Sequence, residues 1–305
     1  MDDSILIVGS GAMACLFASR LSAAGVHVTM LGSWAEGLQA LRSHGVRVAE
    51  GGGGEKAFAV EATSRPSDCS GARLALVLVK SWQTERAARQ LAECLEADGV
   101  ALTLQNGLGN REALDRELGE NRVVLGVTTS GATLLGPGRV RPAGEGTISL
   151  GEHSRLSEMT PLLRRAGFEV EIVGDADDLL WGKLVINAAI NPLTALLGCP
   201  NGELVTRPAA RQLMAAAATE ASAVAQRLGH TLAYADPAEA AERVARRTAE
   251  NHSSMLQDVR RGAPTEIDAI CGAIVAAAEE SGVATPVNRT LWLLIRALIQ
   301  RGVGT

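Results

Sequence analysis

The chain has 305 residues and 47% hydrophobic side chains, enough for one large core or two moderate ones, and two domains is the better expectation. A formal net charge of -5, with one Tyr, three Phe and four Trp, offers neither the basic field nor the stacking platforms that nucleic-acid binding needs. The five cysteines (Cys15, Cys69, Cys94, Cys199, Cys271) are odd in number, scattered and never in a CxxC, which fits free thiols in a reducing compartment better than disulfides or a zinc site.

The start, MDDSILIVGSG, has acids where a signal peptide carries its basic region. No apolar run approaches the roughly 20 residues of a membrane span, so a cytoplasmic protein with no membrane partner and no metal is expected. Ser4 to Val8 reads as a strand, GSGAMA as a glycine turn, CLFASRLSAAG as a helix stopping at Gly25, and VHVTML as a second strand. In such a unit Gly9 permits the tight turn, Gly11 lets a pyrophosphate approach the backbone, and Ala14 is small enough for helix and strand to pack. An NAD site normally places Asp or Glu after the second strand, on the ribose 2′-hydroxyl. Here Ser33 stands at that distance and no acid follows until Glu36, which argues for NADP.

GGGG at 51–54 reads as a flexible hairpin connection. RLALVLVK is a continuous apolar strand of the kind buried in a parallel sheet, leaving Lys80 at its carboxyl end, to meet a phosphate or merely to be solvated. VALTLQNGLGN ends at the same sheet edge; Asn106 there suits a nicotinamide or a substrate carbonyl, or is a plain Asn-Gly turn. Helical REALDREL follows, then strands with Gly/Pro turns through TISLGE and FEVEIVGD.

From Asp175 onward β patterns give way to helices, which places a domain boundary near residue 174. In the first long helix Lys183, Asn187 and Asn191 recur every four residues while all side chains between them are apolar. Steps of four drift about 40° around a helix, so the three share one narrow stripe. A helix apolar elsewhere is buried, and its stripe must meet a cleft, find partners or form a thin solvent face. In an apolar cleft the lysine would be brought toward neutral pH and suited to proton transfer. Pro192 should bend or end the helix at Asn191, leaving Asn201 in a turn near that end. Further on, Ser253 and Ser254 fall in mid-helix, where packing alone would explain them. Gly262 and Pro264 stop that helix, and Thr265 with Asp268 resembles a capping pair that sets Glu266 in the next first turn, a position the helix dipole also explains. The apolar tail NRTLWLLIRALIQ fits packing within the helical domain, or else a homodimer contact.

Together GSGAMA, VKSWQT, QNGLGN, GKLVINAAINPLTALLGCPNGEL and ENHSSMLQDVRRGAPTEID make the chain similar, over nearly its whole length, to the ketopantoate reductase family. The last two blocks are the most specific, since order and spacing agree as well as composition. The resemblance implies an α/β fold, with a Rossmann-type dinucleotide-binding domain at 1–174, an all-helical substrate and dimerisation domain at 175–305, and the active site in the cleft between them. It implies NADPH-dependent reduction of 2-dehydropantoate to pantoate, toward pantothenate and coenzyme A. Lys183 would be the general acid and Glu266 would accept from the terminal hydroxyl of the substrate. Asn187, Asn191, Asn201 and Ser254 would line the substrate pocket, Ser254 on the carboxylate, with Asn106 between nicotinamide and substrate. Gly9, Ser10, Gly11, Ala12, Met13, Ala14, Ser33 and Lys80 would hold the cofactor.

Two positions depart from the family pattern. Ala14 replaces the third glycine of the loop, and Ser33 replaces the arginine usually used on the 2′-phosphate, leaving Lys80 as its principal cation and NADH as a possible cofactor. The alternatives are a related reductase of another 2-oxo acid and a dinucleotide-binding regulator without turnover; a regulator needs the glycine loop but no proton donor.

Overall fold

A computed structural model describes residues 3–50 and 52–300. The chain divides into two compact units, one of residues 1–105 and 110–176, the other of 106–109 and 177–305.

The first unit opens with β1 (Ser4–Val8), α1 (Ala12–Ala23), β2 (His27–Leu31) and α2 (Ala35–His44), the strand, glycine turn, helix and strand expected. β3 (Val46–Ala49) and β4 (Glu55–Phe58) form the hairpin expected around the glycine run, of which Gly51 lies outside the described residues. β5 (Glu61–Thr63), β6 (Ala72–Val77), α3 (Thr84–Cys94), β7 (Leu95–Thr103), α4 (Asn110–Leu118) and β8 (Val123–Thr128) follow, then β9 (Ala132–Gly136), β10 (Arg139–Pro142), β11 (Thr147–Gly151), α5 (Leu156–Arg165) and β12 (Glu169–Val173).

Eight strands make one sheet in the order β12-β11-β8-β7-β6-β1-β2-β5. From β8 to β5 every pairing is parallel, and β11 joins β8 antiparallel. The chain runs outward from β1 through β2, then returns to β6 on the other side of β1. That reversal beside β1 is where ligands sit in open α/β sheets, outside the carboxyl ends of the strands. The central strands are apolar on both faces, as a parallel sheet covered by helices requires; Ile7 and Leu76 are fully buried. Two features were not anticipated. α5 covers the sheet, with Met159 and Leu163 in the same core as Phe17. A second sheet, β4-β3-β10-β9, closes over α1 through Val46 and Val140.

The second unit is helical: α6 (Ala176–Leu197, its first residue in the other unit), α7 (Glu203–Thr206), α8 (Pro208–Arg227), α9 (Pro237–Arg247), α10 (Ser254–Arg260), α11 (Ala273–Ser281) and α12 (Pro286–Gln300). α6 runs through Pro192 to Leu197, so of the two outcomes expected at Asn191, a bend or an end, the helix does not end there. Proline removes one ladder bond, but Leu193 and Ala195 bury themselves in the helical core, and that burial carries the last turn. α6 also corrects the expectation that no run is long enough for a membrane. By length and composition it qualifies, yet 67% of its apolar window is buried inside the protein, as in a core helix.

α12 packs inward through Leu291 and Ile295, leaving Leu293 and Leu294 exposed. Its N-terminus is held from α8. Glu220 accepts from the Val287 and Asn288 amides at 2.9 Å and from Asn288 Nδ2 at 2.9 Å, while that amide also donates to the Ala217 carbonyl. A carboxylate on unsatisfied first-turn amides is both a cap and a counter-charge to the helix dipole. Glu220→Ala should lower the stability read from the urea midpoint by about 2 kcal/mol, since three donors lose a charged acceptor. A change under about 0.5 kcal/mol would show the clip to be ornamental. All five cysteines are free, as expected; all are also buried, and burial pushes the Cys15 and Cys94 thiols up to about 12.

Candidate active site

The glycine loop lies at the carboxyl end of β1. Gly9 has φ +133°, and a Cβ there would sit 3.0 Å from the Leu78 carbonyl oxygen at the end of β6. The fold therefore dictates glycine at 9. Gly11 differs: its φ is an ordinary -84°, and a Cβ would meet nothing within 4 Å. The protein's own packing does not ask for glycine there, and open space above the start of α1 is what a close-approaching pyrophosphate needs. Among the described residues no side chain caps that helix, so its first amides face the same space. Ala14 is fully buried against the sheet. The loop and helix start thus fit a dinucleotide, with Ser10 buried and Ala12 and Met13 half-buried beside it.

Ser33 is exposed just past β2. β5 runs beside β2 with Leu31 opposite Thr63, so Arg65, ion-paired with Asp68 at 2.9 Å, lies two residues beyond the neighbouring strand end. Nothing in the sequence marks this cation, because β5 is three residues long and carries no signal of its own. Lys80 follows the end of β6, in a loop fixed by Gln105 at the end of β7. Gln105 Nε2 donates to the Val79 carbonyl (3.0 Å) and the Thr84 hydroxyl (2.8 Å), and Thr84 donates to Asn110 Oδ1 (2.7 Å). This buried rivet is likewise unmarked in the sequence.

In the second unit α6 presents its polar row as expected. Lys183 and Asn187 are half-buried and Asn191 is buried, while Leu184, Val185, Ala188 and Ala189 are sealed in the core. Burial pushes the Lys183 amine down to about 8, with the Glu266 carboxylate pulling the other way. Glu266, 4% exposed, accepts from Asn106 Nδ2 at 3.4 Å. Three of the expected site residues, Lys183, Glu266 and Asn106, are thus grouped.

The segment carrying Glu266 is not built as expected. Thr265 accepts from the Ile267 amide (3.4 Å), but Asp268 does not complete a capping pair; it accepts from the Trp292 indole at 2.6 Å. A π-helical turn, Asp268–Gly272, replaces the first α turn, a form common at functional sites. Its Ala269 carbonyl accepts from the Leu108 amide (3.0 Å), docking the Asn106–Gly109 loop. Ser253 and Ser254 are not in mid-helix either. Ser253 is the N-cap of α10, accepting from the Leu256 amide at 3.1 Å, and Ser254 is the first helical residue. The preference of serine for capping, against its indifferent helix propensity, explains the start there. Asn201 lies in a turn bonded to the end of α9: its amide nitrogen donates to the Thr248 hydroxyl (2.9 Å), and its buried Oδ1 has no hydrogen-bond partner among the described residues.

The family model for ketopantoate reductase PanE/ApbA matches residues 5–155, and its C-terminal counterpart matches residues 175–300. The chain belongs to the ketopantoate reductase family. A 2-dehydropantoate 2-reductase of Archaeoglobus fulgidus is 41% identical over 302 residues, covering 96% of this chain and 97% of that one. The crystal structure of a PanE/ApbA family ketopantoate reductase from Ralstonia eutropha matches with TM-score 0.91 at 32% identity, covering 98% of this chain and 99% of that one. A ternary structure of D-mandelate dehydrogenase with NADH and anilino(oxo)acetate matches with TM-score 0.90 at 25% identity, over 98% and 99% of the two chains.

Proposed function

We propose that this chain reduces 2-dehydropantoate to pantoate with NADPH, in the cytoplasm, with Lys183 as the general acid. The observation that carries the reading is the half-buried amine of Lys183, lowered to about 8 and grouped with Glu266, in a member of this family. A group titrating near neutrality can hold a proton at rest and release it to a developing alkoxide. When bound, the dinucleotide supplies the hydride that adds to C2. Lys183 supplies the matching proton to the ketone oxygen, which balances the reduction. Asn187 and Asn191, on the same stripe, hold hydroxyl and carbonyl oxygens, and the Ser254 hydroxyl donates to the carboxylate. Glu266 accepts from the terminal hydroxyl and keeps the lysine charged, and Asn201 Oδ1 offers a buried acceptor to the same end of the substrate.

For the cofactor, Ser33 and the lack of an acid after β2 favour NADPH, with Lys80 as cation for the 2′-phosphate. The test is the initial rate at 340 nm with 2-dehydropantoate and either cofactor. Lys80→Ala is expected to weaken NADPH about tenfold more than NADH, the worth of one charged hydrogen bond. Equal losses would remove Lys80 from the 2′-phosphate, and no turnover by the wild-type protein would remove the substrate assignment. The resemblance to D-mandelate dehydrogenase with NADH supports a second reading, a reductase of another 2-oxo acid. Phenylglyoxylate assayed alongside separates the two.

A further inference from the structure

We propose that Thr194 is a positioning residue, which ties the turn of α6 bearing Asn191 to the helix cap bearing Ser254; this rests on the reading of Asn191 and Ser254 as substrate ligands. Thr194 is fully buried, three residues after Asn191. Its hydroxyl donates to Ser253 Oγ at 2.7 Å and lies 3.0 Å from the Ile190 and Asn191 carbonyl oxygens. Buried threonines in helices commonly bond back to their own carbonyls, and that alone would be local. The short bond to Ser253 is not local: it crosses 59 positions of sequence to another helix.

Ser253 Oγ receives two donors, the Thr194 hydroxyl and the Leu256 amide, and so is fixed from both sides. A cap fixed in this way sets where α10 begins, and therefore where Ser254 points. Proline at 192 makes the tie more useful. With its amide missing, the turn from Asn191 to Leu193 has one ladder bond fewer, and the anchor two residues on restores its register. One buried hydroxyl thus sets the separation between two groups that would contact the same small substrate. Positioning of this kind appears in substrate binding before it appears in the chemical step, because Lys183 lies three turns earlier on α6.

The experiment is steady-state kinetics of Thr194→Val and Thr194→Ser with 2-dehydropantoate and NADPH, together with deuterium exchange of the peptide spanning 252–257. Valine keeps the shape and removes the hydroxyl. It should raise the KM for the oxo acid about five- to tenfold, the worth of one neutral hydrogen bond, with kcat within about twofold and the KM for NADPH unchanged. Serine should restore the wild-type KM. An unchanged oxo-acid KM in Thr194→Val overturns the proposal, as does a joint rise of both KM values that serine does not rescue, which marks general loosening. If the wild-type protein does not turn over 2-dehydropantoate, the functional reading has failed by itself, and exchange decides the tie. Faster exchange at 252–257 in the valine variant alone upholds it, and equal exchange in all three proteins sinks it.

Discussion

Lys183→Ala is expected to lower kcat by about 10²- to 10⁴-fold, the usual worth of a positioned acid, while cofactor binding and the fold persist. The pH dependence gives the sharper check. Reduction needs the protonated amine, so the wild-type rate should be level below about 8 and fall tenfold per unit above it. Oxidation of pantoate needs the neutral amine and should rise through the same pH. Glu266 holds the lysine value up, so Glu266→Gln should move both limbs to lower pH. The alanine variant should show neither limb; the same limb persisting in it would assign the titration to another group. Stability has a determined sign too. The folded value lies below the ordinary 10.5, so protonation of this amine opposes folding, fully below about 8 and not at all above 10.5. Lys183→Met should therefore raise Tm at pH 7 more than at pH 10.

The residues most legible in the sequence are those that contradict their surroundings. Lys183, Asn187 and Asn191 stand out because an apolar core helix has no structural use for them, and the Gly9 to Ala14 loop stands out because it sits between strand and helix. Legibility fails where partners are distant or periodicities overlap. β3 pairs with β10, 92 positions on, through pairs such as Val48 with Val140, and strands that short leave no pattern to read. ENHSSML carries no periodic mark of where a helix begins, and the start is determined by the hydrogen bond that Ser253 accepts as cap. The π turn at Asp268–Gly272 is invisible for a related reason, since one extra residue per turn does not alter which side chains are apolar. Gln105 and Thr194 look like ordinary polar residues beside a strand or in a helix, and only the fold reveals Val79 and Ser253 opposite them.

The π turn also makes Gly107 the most constrained position of the Asn106 loop. Gly107 has φ +84°, and a Cβ there would lie 2.5 Å from the Ala269 carbonyl oxygen and 2.7 Å from the Ala269 Cβ. The obstructing oxygen is backbone and already accepts from Leu108, so it cannot step aside without breaking the dock that holds Asn106 to Glu266. Gly107→Ala is expected to lower kcat/KM about 100-fold, the cost of misplacing a binding group by about 1 Å. Gly109 supplies the control. It has nearly the same backbone, φ +86°, but open space where its Cβ would be. Gly109→Ala carries the left-handed backbone penalty of about 1–2 kcal/mol in stability without the collision, and should leave kcat/KM within about threefold. Equal losses in the two variants would make backbone strain, not the contact with Ala269, the cause. An active Gly107→Ala would detach the Asn106 loop from the reaction.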